Sequence, residues 1–327
     1  MKALVLKKRG VFELLETPIP EPEANEVSIT VACCSVCRTD AKMWQSGHRD
    51  LVLPRIPGHE ISGYVAGDPA RPVSIWPGTA CGTCRYCKGG RENLCPSMKI
   101  LGFHRNGGFA EHVTVPRTSL FAVPQELPMP LAALAEPLAC ALHGLDQAAV
   151  DTGDRVLIYG AGTLGIFLAL GAQARGASAL IVDPCREKLE KSRVFCAHIG
   201  VPGIEDPREA SGEFDAVINA ASAPATLDGL LKIRSGGRFC LFSNLATLPE
   251  SGSQLLAVLH YRELQLVGAY GCTRKAIESA LDLLAVNRGE LGFLIERIMS
   301  LEDVPAVMAD VLGGEQFKYI IDFQNQT

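Results

Sequence analysis

The chain has 327 residues, of which 47% are hydrophobic and 20% charged, and this composition is typical of a folded globular protein long enough for two domains. The formal net charge of −5 leaves no cationic excess for a phosphate backbone, so the composition argues against nucleic-acid binding. Twelve cysteines in a chain expected to stay in a reducing compartment favour metal binding over disulfides.

The N-terminal segment "MKALVLKKRGVFELLETPIP" has only a short apolar run before Lys7 and Lys8, too short for a signal peptide. No stretch of the sequence reaches the ~18 apolar residues that a membrane span needs. We therefore expect a cytoplasmic protein that does not contact a membrane.

Two short segments in the first quarter of the chain carry residues of the types that commonly bind zinc. "CRTD" occupies Cys37–Asp40 and "PGHE" occupies Pro57–Glu60. Taken alone, each has a plain structural interpretation, since a Gly-His-Glu run is common at surfaces and Cys37 is a reasonable strand residue. Together with Glu136 in "AEPLAC", they offer a thiolate, an imidazole and carboxylates, and they suggest a metal centre.

The segment "CGTCRYCKGGRENLC" places four cysteines within fifteen residues. Gly82, Gly89 and Gly90 supply the turns that direct four sulfurs toward one point. Four thiolates form a closed tetrahedral zinc site without an exchangeable position, so the predicted role is structural. An iron–sulfur cluster is an alternative whose usual spacings differ, and four unrelated buried cysteines are another. The predicted ligands are Cys81, Cys84, Cys87 and Cys95.

A glycine-rich turn opens the second half of the chain. The pattern predicts a buried strand over 155–160, then "GAGTLG", then a helix over 163–176. In this arrangement glycines make the turn, admit a pyrophosphate and let the helix pack on the sheet, which predicts dinucleotide binding. The predicted contact residues are Gly160, Gly162, Thr163, Leu164 and Gly165.

A second strand, "ALIVD", ends at Asp183, eighteen residues beyond the last glycine of the turn. A carboxylate at this place accepts hydrogen bonds from a ribose 2′-hydroxyl and repels a 2′-phosphate, so NAD is favoured over NADP. Arg186 lies close by in sequence and keeps NADP open. Strands over 215–220, 238–243 and 264–270, with a helix near 225–233, continue the alternation of a doubly wound parallel sheet.

With these segments in view, the sequence resembles the zinc-dependent medium-chain dehydrogenase/reductase family over essentially its whole length. The matching segments, in the family's order, are "CRTD", "GHE", the four-cysteine segment, "GGFAEHVTVP" (107–116), "EPLAC" and "GAGTLG". "EPLAC" is more similar to the polyol and threonine dehydrogenase branch than to the simple alcohol dehydrogenases.

The resemblance implies an α/β protein with a GroES-like, mainly β catalytic domain and a Rossmann domain with a doubly wound parallel sheet. The catalytic domain is expected to be split in sequence, over residues 1–140 and 273–327, around a NAD-binding domain over residues 141–272. The resemblance also implies a homodimer or homotetramer.

The resemblance further implies two zinc ions per chain and NAD as cofactor. Cys37 and His59 become ligands of the catalytic zinc, and Glu60 and Glu136 become carboxylates that alternate with water or substrate as further ligands. Three protein ligands with one exchangeable position are what zinc catalysis requires.

Three residues next to Cys37 also receive roles from the resemblance. Thr39 is expected to hydrogen-bond the substrate oxygen and begin proton removal, and Asp40 to hold His59 in the required tautomer. Arg38 is expected to offer a cation to the cofactor pyrophosphate, with a solvated arginine as the alternative.

Lys42 departs from the family pattern, because many members carry the outer histidine of a proton relay at this position. A lysine with an ordinary pKa of ~10.4 is a poor proton acceptor at neutral pH. One interpretation is that Lys42 recognises an anionic substrate, and the other is that it lies in solvent.

The expected function is the transfer of a hydride between a secondary alcohol and NAD, giving a ketone, with a polyol, an amino alcohol or a hydroxy acid as the small-molecule substrate. One alternative is a different reaction on the same scaffold, such as reduction of an activated carbonyl or a zinc-free enone reductase. A non-enzymatic NAD-binding protein is another, and the full set of candidate site residues argues against it.

Overall fold

The computed structural model describes residues 1–221, 226–243 and 252–324. Its contacts divide the chain into two compact units. The first comprises Met1–Ala139 and Thr273–Thr327, and the second comprises Cys140–Cys272.

The strands, in chain order, are β1 (Lys2–Lys8), β2 (Val11–Glu16), β3 (Glu26–Val36), β4 (Glu60–Val65), β5 (Asp68–Ile75), β6 (Gly78–Thr79), β7 (Lys99–Ile100), β8 (His112–Pro116), β9 (Leu120–Ala122), β10 (Arg155–Tyr159), β11 (Ser178–Val182), β12 (Gly203–Ile204), β13 (Phe214–Asn219), β14 (Ile233–Leu241), β15 (Gln265–Gly268), β16 (Ile295–Met299) and β17 (Lys318–Asp322).

The α-helices are α1 (Arg38–Ser46), α2 (Arg85–Lys88), α3 (Met129–Ala132), α4 (Ala135–Gln147), α5 (Thr163–Ala174), α6 (Arg186–His198), α7 (Thr226–Lys232), α8 (Gly252–Tyr261), α9 (Arg274–Val286) and α10 (Val304–Gly313). Short 3₁₀ helices lie at Glu92–Leu94, Arg117–Ser119, Pro207–Glu209, Leu291–Leu294 and Leu301–Asp303.

The first unit is built around a mainly antiparallel sheet in the order β16-β17-β3-β4-β5-β9, with β8 also paired to β3. Strand β3, "EVSITVACCSV", is rich in β-branched and small residues that fit a pleated, buried surface. It pairs antiparallel with β4, β8 and β17, so it occupies the middle of the sheet. Its C-terminal end leads directly into α1.

The core of the first unit joins the two sequence segments that form it. Ile29, Ile61 and Phe109 from the N-terminal segment are fully buried together with Met308 and Ile321 from the C-terminal segment. Burying a side chain of this kind contributes ~1.5–3 kcal/mol, so the C-terminal segment is an integral part of this unit.

The second unit contains a six-stranded parallel sheet in the order β12-β11-β10-β13-β14-β15. Strands β10, β11 and β13 are almost continuous hydrophobic runs, as expected for parallel strands covered on both faces. The strand order reverses between β10 and β13, which is the arrangement of a Rossmann fold.

Sequence patterns predicted the elements of the second unit closely. The predicted strands at 155–160, 215–220 and 264–270 and the predicted helix at 163–176 are confirmed as β10, β13, β15 and α5. Of the predicted helix near 225–233, residue 225 lies outside the described residues, and α7 covers the rest to Lys232. Strand β14 begins at Ile233, five residues before its predicted start, and its pairing with β13 shifts register near this point.

A membrane-crossing helix would have to be both long and strongly apolar, and none of the helices in the described ranges meets both conditions.

Candidate active site

The end of strand β3 forms the base of the candidate catalytic centre in the first unit. Cys37 follows β3 directly and caps helix α1, with its Sγ accepting a hydrogen bond from the Thr39 N–H at 3.4 Å. Ser35 near this end pairs with Glu60 of β4, and the next residue of β3 pairs with Tyr319 of β17. Three adjacent strands therefore bring distant parts of the chain to one place.

Cys37, His59 and Glu60 each present a ligand atom, and these atoms lie within 4.8 Å of one another. His59 and Glu60 are buried, whereas Cys37 is half-buried. A thiolate, an imidazole and a carboxylate at this separation form a donor set that suits zinc. The structure thus gathers three of the residues that the sequence pointed to.

Asp40 links the two segments that carry these ligands. Its carboxylate is fully buried and accepts hydrogen bonds from the backbone N–H of Cys37 at 2.9 Å and of Gly58 at 3.3 Å. Its Oδ1 also lies 3.5 Å from Nδ1 of His59. Asp40 therefore stabilises the start of α1 and fixes the loop that precedes β4.

The buried imidazole of His59 lies in a negative environment. Burial alone would lower its pKa, but the charges of Asp40 and Cys37 and their polar contacts raise it well above the usual value. Nδ1 is buried and makes no hydrogen bond, because the approach to Asp40 is long. Excess negative charge around an incompletely satisfied imidazole is what a bound cation would balance, so these residues fit zinc.

Glu60 is held by Lys318, a residue that the sequence analysis did not single out. Nζ of Lys318 donates to Oε1 at 2.6 Å and to Oε2 at 2.7 Å of Glu60, and both side chains are buried. Burial lowers the pKa of Lys318, but the charges of Glu60, Cys37 and Glu136 outweigh this and raise it above its usual value. A permanent ammonium thus lies beside the candidate ligands.

The local sequence marks Lys318 only weakly. It is 258 residues from Glu60 in sequence, and it comes into contact because β17 pairs with β3 next to β4. The weak signal available was a lysine at the start of the strand "KYIID", whose three central residues are largely apolar, because a charge buried in such a strand needs a partner.

The other predicted catalytic residues occupy different positions. Thr39 is half-buried in the first turn of α1. Glu136 is buried in the first turn of α4 and contributes to the field at Lys318, but it is not among the three gathered ligand atoms. The Nε of Arg38 donates to the carbonyl of Leu312 at 3.0 Å, so this guanidinium is tied to the end of α10.

Lys42 lies on the exposed side of α1. It makes no hydrogen bond or ion pair with any residue that the structure describes. The position at which many family members carry a relay histidine therefore faces solvent in this unit.

A different histidine lies near the centre. The ring of His48 packs edge-on against Phe103 with centroids 5.2 Å apart, and Phe103 also contacts His59 at 5.4 Å. Phe103 is buried. Sequence reasoning counted His48 only among the cations between Cys37 and His59 and gave Phe103 no role, because their contact depends on how two loops fold back.

The four cysteines of the segment 81–95 also converge. Their Sγ atoms lie within 4.8 Å of one another, and the backbone N–H groups of Cys81 and Cys84 donate to Cys95 Sγ at 3.4 Å and to Cys81 Sγ at 3.3 Å. The short helix α2 begins directly after Cys84 and returns Cys87 to the cluster. One local stretch of the chain thus brings four sulfur atoms together.

Two thiols of this cluster have pKa values shifted in opposite directions. Hydrogen bonds from the backbone and side chain of Thr83 lower the pKa of Cys81 to about 6, whereas desolvation and the Cys84 thiol raise that of Cys87. Four adjacent sulfurs cannot all ionise unless a cation lies among them. The geometry and the donor chemistry therefore fit a closed zinc site.

The second unit presents the glycine-rich turn at the carboxyl end of β10. Gly160 has a φ of +111°, and a Cβ at Gly165 would lie 1.7 Å from the Gly160 carbonyl oxygen, so neither position accepts a side chain. No atom lies within 4 Å of a Cβ built at Gly162, which leaves open space beside the turn. Thr163 and Leu164 begin helix α5 there, and a helix N-terminus favours an anion.

Asp183 follows β11 and is positioned by two backbone hydrogen bonds. Its Oδ2 accepts from Ala161 N–H at 2.7 Å, and its Oδ1 accepts from Cys185 N–H at 2.8 Å. Each oxygen retains acceptor capacity for a ligand hydroxyl. Arg186 is exposed, and its Nε lies 3.7 Å from Glu205, which partly offsets its charge.

A fold with a mainly β unit and a Rossmann unit, two candidate zinc sites and a glycine-rich turn defines a dinucleotide-dependent zinc dehydrogenase. Residues 23–125 match the family model described as the alcohol dehydrogenase GroES-like domain. A zinc-type alcohol dehydrogenase-like protein of Haemophilus influenzae is 31% identical over 328 residues, covering 95% of each chain. The chain belongs to the zinc-dependent medium-chain dehydrogenase family.

Two further similar proteins indicate a substrate and a cofactor, respectively. The D-altritol 5-dehydrogenase of Agrobacterium fabrum is 29% identical, with 93% of this chain and 94% of that one covered. A zinc-binding dehydrogenase of Sinorhizobium meliloti 1021, solved with NADP bound, is 27% identical and superposes with a TM-score of 0.87 over 98% of each chain. The predicted fold class, GroES-like plus Rossmann, is confirmed by these matches.

Proposed function

We propose that this protein oxidises a secondary alcohol of the polyol type to a ketone with NAD, or catalyses the reverse reduction. The observation that carries the proposal is the convergence of Cys37, His59 and Glu60 in the unit with the GroES-like fold. The D-altritol 5-dehydrogenase relative supports a polyol as the substrate class.

Cys37 and His59 would hold the catalytic zinc, with a carboxylate completing the protein ligands. When bound, zinc supplies Lewis acidity at the alcohol oxygen, and NAD accepts the hydride. With zinc bound, Asp40, whose Oδ1 lies 3.5 Å from Nδ1 of His59, would accept a hydrogen bond from Nδ1 and leave Nε2 as the ligand atom. The Thr39 hydroxyl, in the first turn of α1, would hydrogen-bond the alcohol oxygen and begin proton removal by passing its own proton on to solvent as it receives the proton of the alcohol. Lys318 would balance the charge of Glu60, and Glu60 and Glu136 are the two candidates for the carboxylate ligand.

The second unit would bind the dinucleotide along the glycine-rich turn, with the pyrophosphate at Gly162 and the N-terminus of α5. Asp183 supports NAD over NADP, because its fixed carboxylate would repel a 2′-phosphate. Asp183→Ser should shift the NAD:NADP ratio of kcat/KM toward NADP by roughly tenfold, or ~1.4 kcal/mol. A wild-type preference for NADP, as in the cofactor of the S. meliloti structure, would contradict this assignment.

We further propose two zinc ions per chain, the second held by Cys81, Cys84, Cys87 and Cys95. The domain boundaries near residues 140 and 272 would separate a catalytic from a NAD-binding domain. A homodimer or homotetramer is supported by the outer edge of β15, which pairs with no other strand among the described residues and where Leu266 is exposed.

The proposed function is tested by a substrate screen and a metal analysis on the same preparation. We expect NADH formation with one or more neutral polyols, and two zinc ions per chain by elemental analysis. Absence of NAD(P)H formation with every alcohol, in protein shown to contain zinc, would contradict the proposed function. One zinc per chain in metal-replete protein would contradict the second site alone.

A further inference from the structure

His48 reaches the candidate centre because helix α1 ends sharply. Gly47 adopts a φ of +83° and donates its N–H to the Met43 carbonyl, which stops the helix and reverses the chain. The following loop docks onto the segment around Phe103, whose carbonyl accepts from Val52 N–H at 3.3 Å. Phe103 thereby contacts both His48 and His59.

The two imidazoles contact the same phenyl ring. His48 meets Phe103 at an interplanar angle of 79°, and His59 meets it at 58°. Because Phe103 is 5% exposed, it fixes the position of His48 relative to the predicted zinc ligand. His48 itself is 26% exposed at its side chain, so its outer edge remains accessible to a small molecule.

The hydrogen bonding of His48 defines its tautomer. Nδ1 accepts the backbone N–H of Asp50 at 3.2 Å, so the neutral ring carries its proton on Nε2. This Nε2–H has no hydrogen-bond partner among the described residues. A fixed, accessible donor near the reaction centre is thus left for a ligand.

The charges around His48 favour a neutral ring. Burial lowers its pKa below the usual value, Asp50 opposes this, and Arg49, His104 and His59 add to the lowering. A neutral imidazole donates one hydrogen bond without attracting anions, and the nearby Asp50 carboxylate is balanced by Arg49, whose Nε donates to its Oδ2 at 3.2 Å. The chemistry therefore suits an uncharged hydroxyl oxygen.

We infer that His48 is a specificity-determining residue whose Nε2–H donates a hydrogen bond to a second hydroxyl of the substrate, one that is not oxidised. This inference rests on the proposed function and narrows it to neutral, polyhydroxylated alcohols. It also replaces Lys42 as the residue between Cys37 and His59 that contacts substrate.

The test compares two substrates with the same carbon skeleton, 2,3-butanediol and 2-butanol, with sorbitol and altritol as larger polyols. The variants are His48→Leu, which removes the donor, His48→Gln, which retains an N–H, and Lys42→Ala as a matched exposed control. Zinc-loaded full-length enzyme is used throughout, and circular dichroism melting verifies that each variant folds.

We expect His48→Leu to raise KM for the oxidised polyol about five- to tenfold, as for loss of one hydrogen bond, with kcat little changed. KM for 2-butanol should change less than about twofold, and His48→Gln should recover most of the polyol affinity. Lys42→Ala should resemble wild type.

Equal losses on polyol and 2-butanol, or no loss on either, would overturn the role of His48 while leaving the proposed function intact. Failure of His48→Gln to differ from His48→Leu, or a wild-type enzyme that oxidises only charged alcohols, would overturn it as well. A wild-type enzyme inactive with every alcohol would remove the proposed function itself, and the inference with it.

Discussion

The four-cysteine segment and the Cys37 centre both bring metal-type ligands within 4.8 Å, but the chain assembles them differently. The cysteines come from fifteen consecutive residues closed by backbone hydrogen bonds to sulfur, and Cys81 is exposed. The other centre joins Cys37, the loop before β4 and the start of β17, and its charged groups are largely buried.

This difference distinguishes a structural use of metal-binding side chains from a catalytic one. The four-cysteine cluster mainly crosslinks its own loop, so the loss of one of its ligands should mainly reduce the stability of the protein. The Cys37 centre is assembled from distant segments, and its buried charges must balance one another. The loss of one of its ligands should therefore mainly reduce the activity of the protein. The predictions below test this contrast.

The largest expected effect is that of Cys37→Ser, which should lower kcat at least about a thousandfold, since one ligand of the catalytic zinc is lost. The melting temperature should change little. Cys84→Ser is the matched variant in the other cluster and should lower the melting temperature by several degrees, while turnover per folded molecule stays within about threefold.

Activity assays normalised to folded protein, together with calorimetry, distinguish the two outcomes. If Cys84→Ser abolished turnover without affecting the melting temperature, the contrast between the two clusters would be wrong.

The next effect concerns Lys318→Met, which leaves the buried carboxylate of Glu60 without its counter-ion. We expect a loss of about 3 kcal/mol in the free energy of unfolding, measured by urea denaturation, because breaking a buried ion pair strands one charge. The double variant Lys318→Met/Glu60→Gln should recover much of this loss, because it removes both charges.

Double-variant stability no better than that of the single variant would show that Lys318 acts through packing rather than through Glu60. Activity measured on both variants should fall, since the field around the zinc ligands changes in each.

The smallest effect is expected for Lys42→Ala, which removes an exposed side chain from the helix that Cys37 caps. Stability should stay within about 0.5 kcal/mol and kcat within about twofold of wild type. A selective loss with anionic substrates would restore the alternative that Lys42 recognises a charged group.

The sequence predicted the local features because their geometry is set by neighbouring residues. Gly160, Gly162 and Gly165 follow from what a strand-to-helix turn can accommodate, and the cysteine spacing follows from what a tetrahedral cluster needs. The Rossmann sheet was likewise predictable, because hydrophobic runs and helices alternate regularly along the second unit.

The sequence could not predict which distant side chains meet. The contact of Lys318 with Glu60 depends on β17 pairing beside β3, and the contact of His48 with Phe103 depends on two loops folding together. The resemblance supplied Cys37 and His59 as ligands, but it directed attention to Lys42, whose position on α1 turns it to solvent.

The pairing of β17 with β3 also affects the order in which the protein matures. A ribosome adds ~5–20 residues per second, so Cys37 is made roughly 15–60 s before Lys318. Throughout this interval the nascent chain carries an uncovered β3 edge and a Glu60 carboxylate without its ammonium. Emerging thiols at the two clusters are then open to any metal ion or oxidant in the cell, and the four-cysteine segment, complete as soon as Cys95 is made, can close long before the catalytic centre.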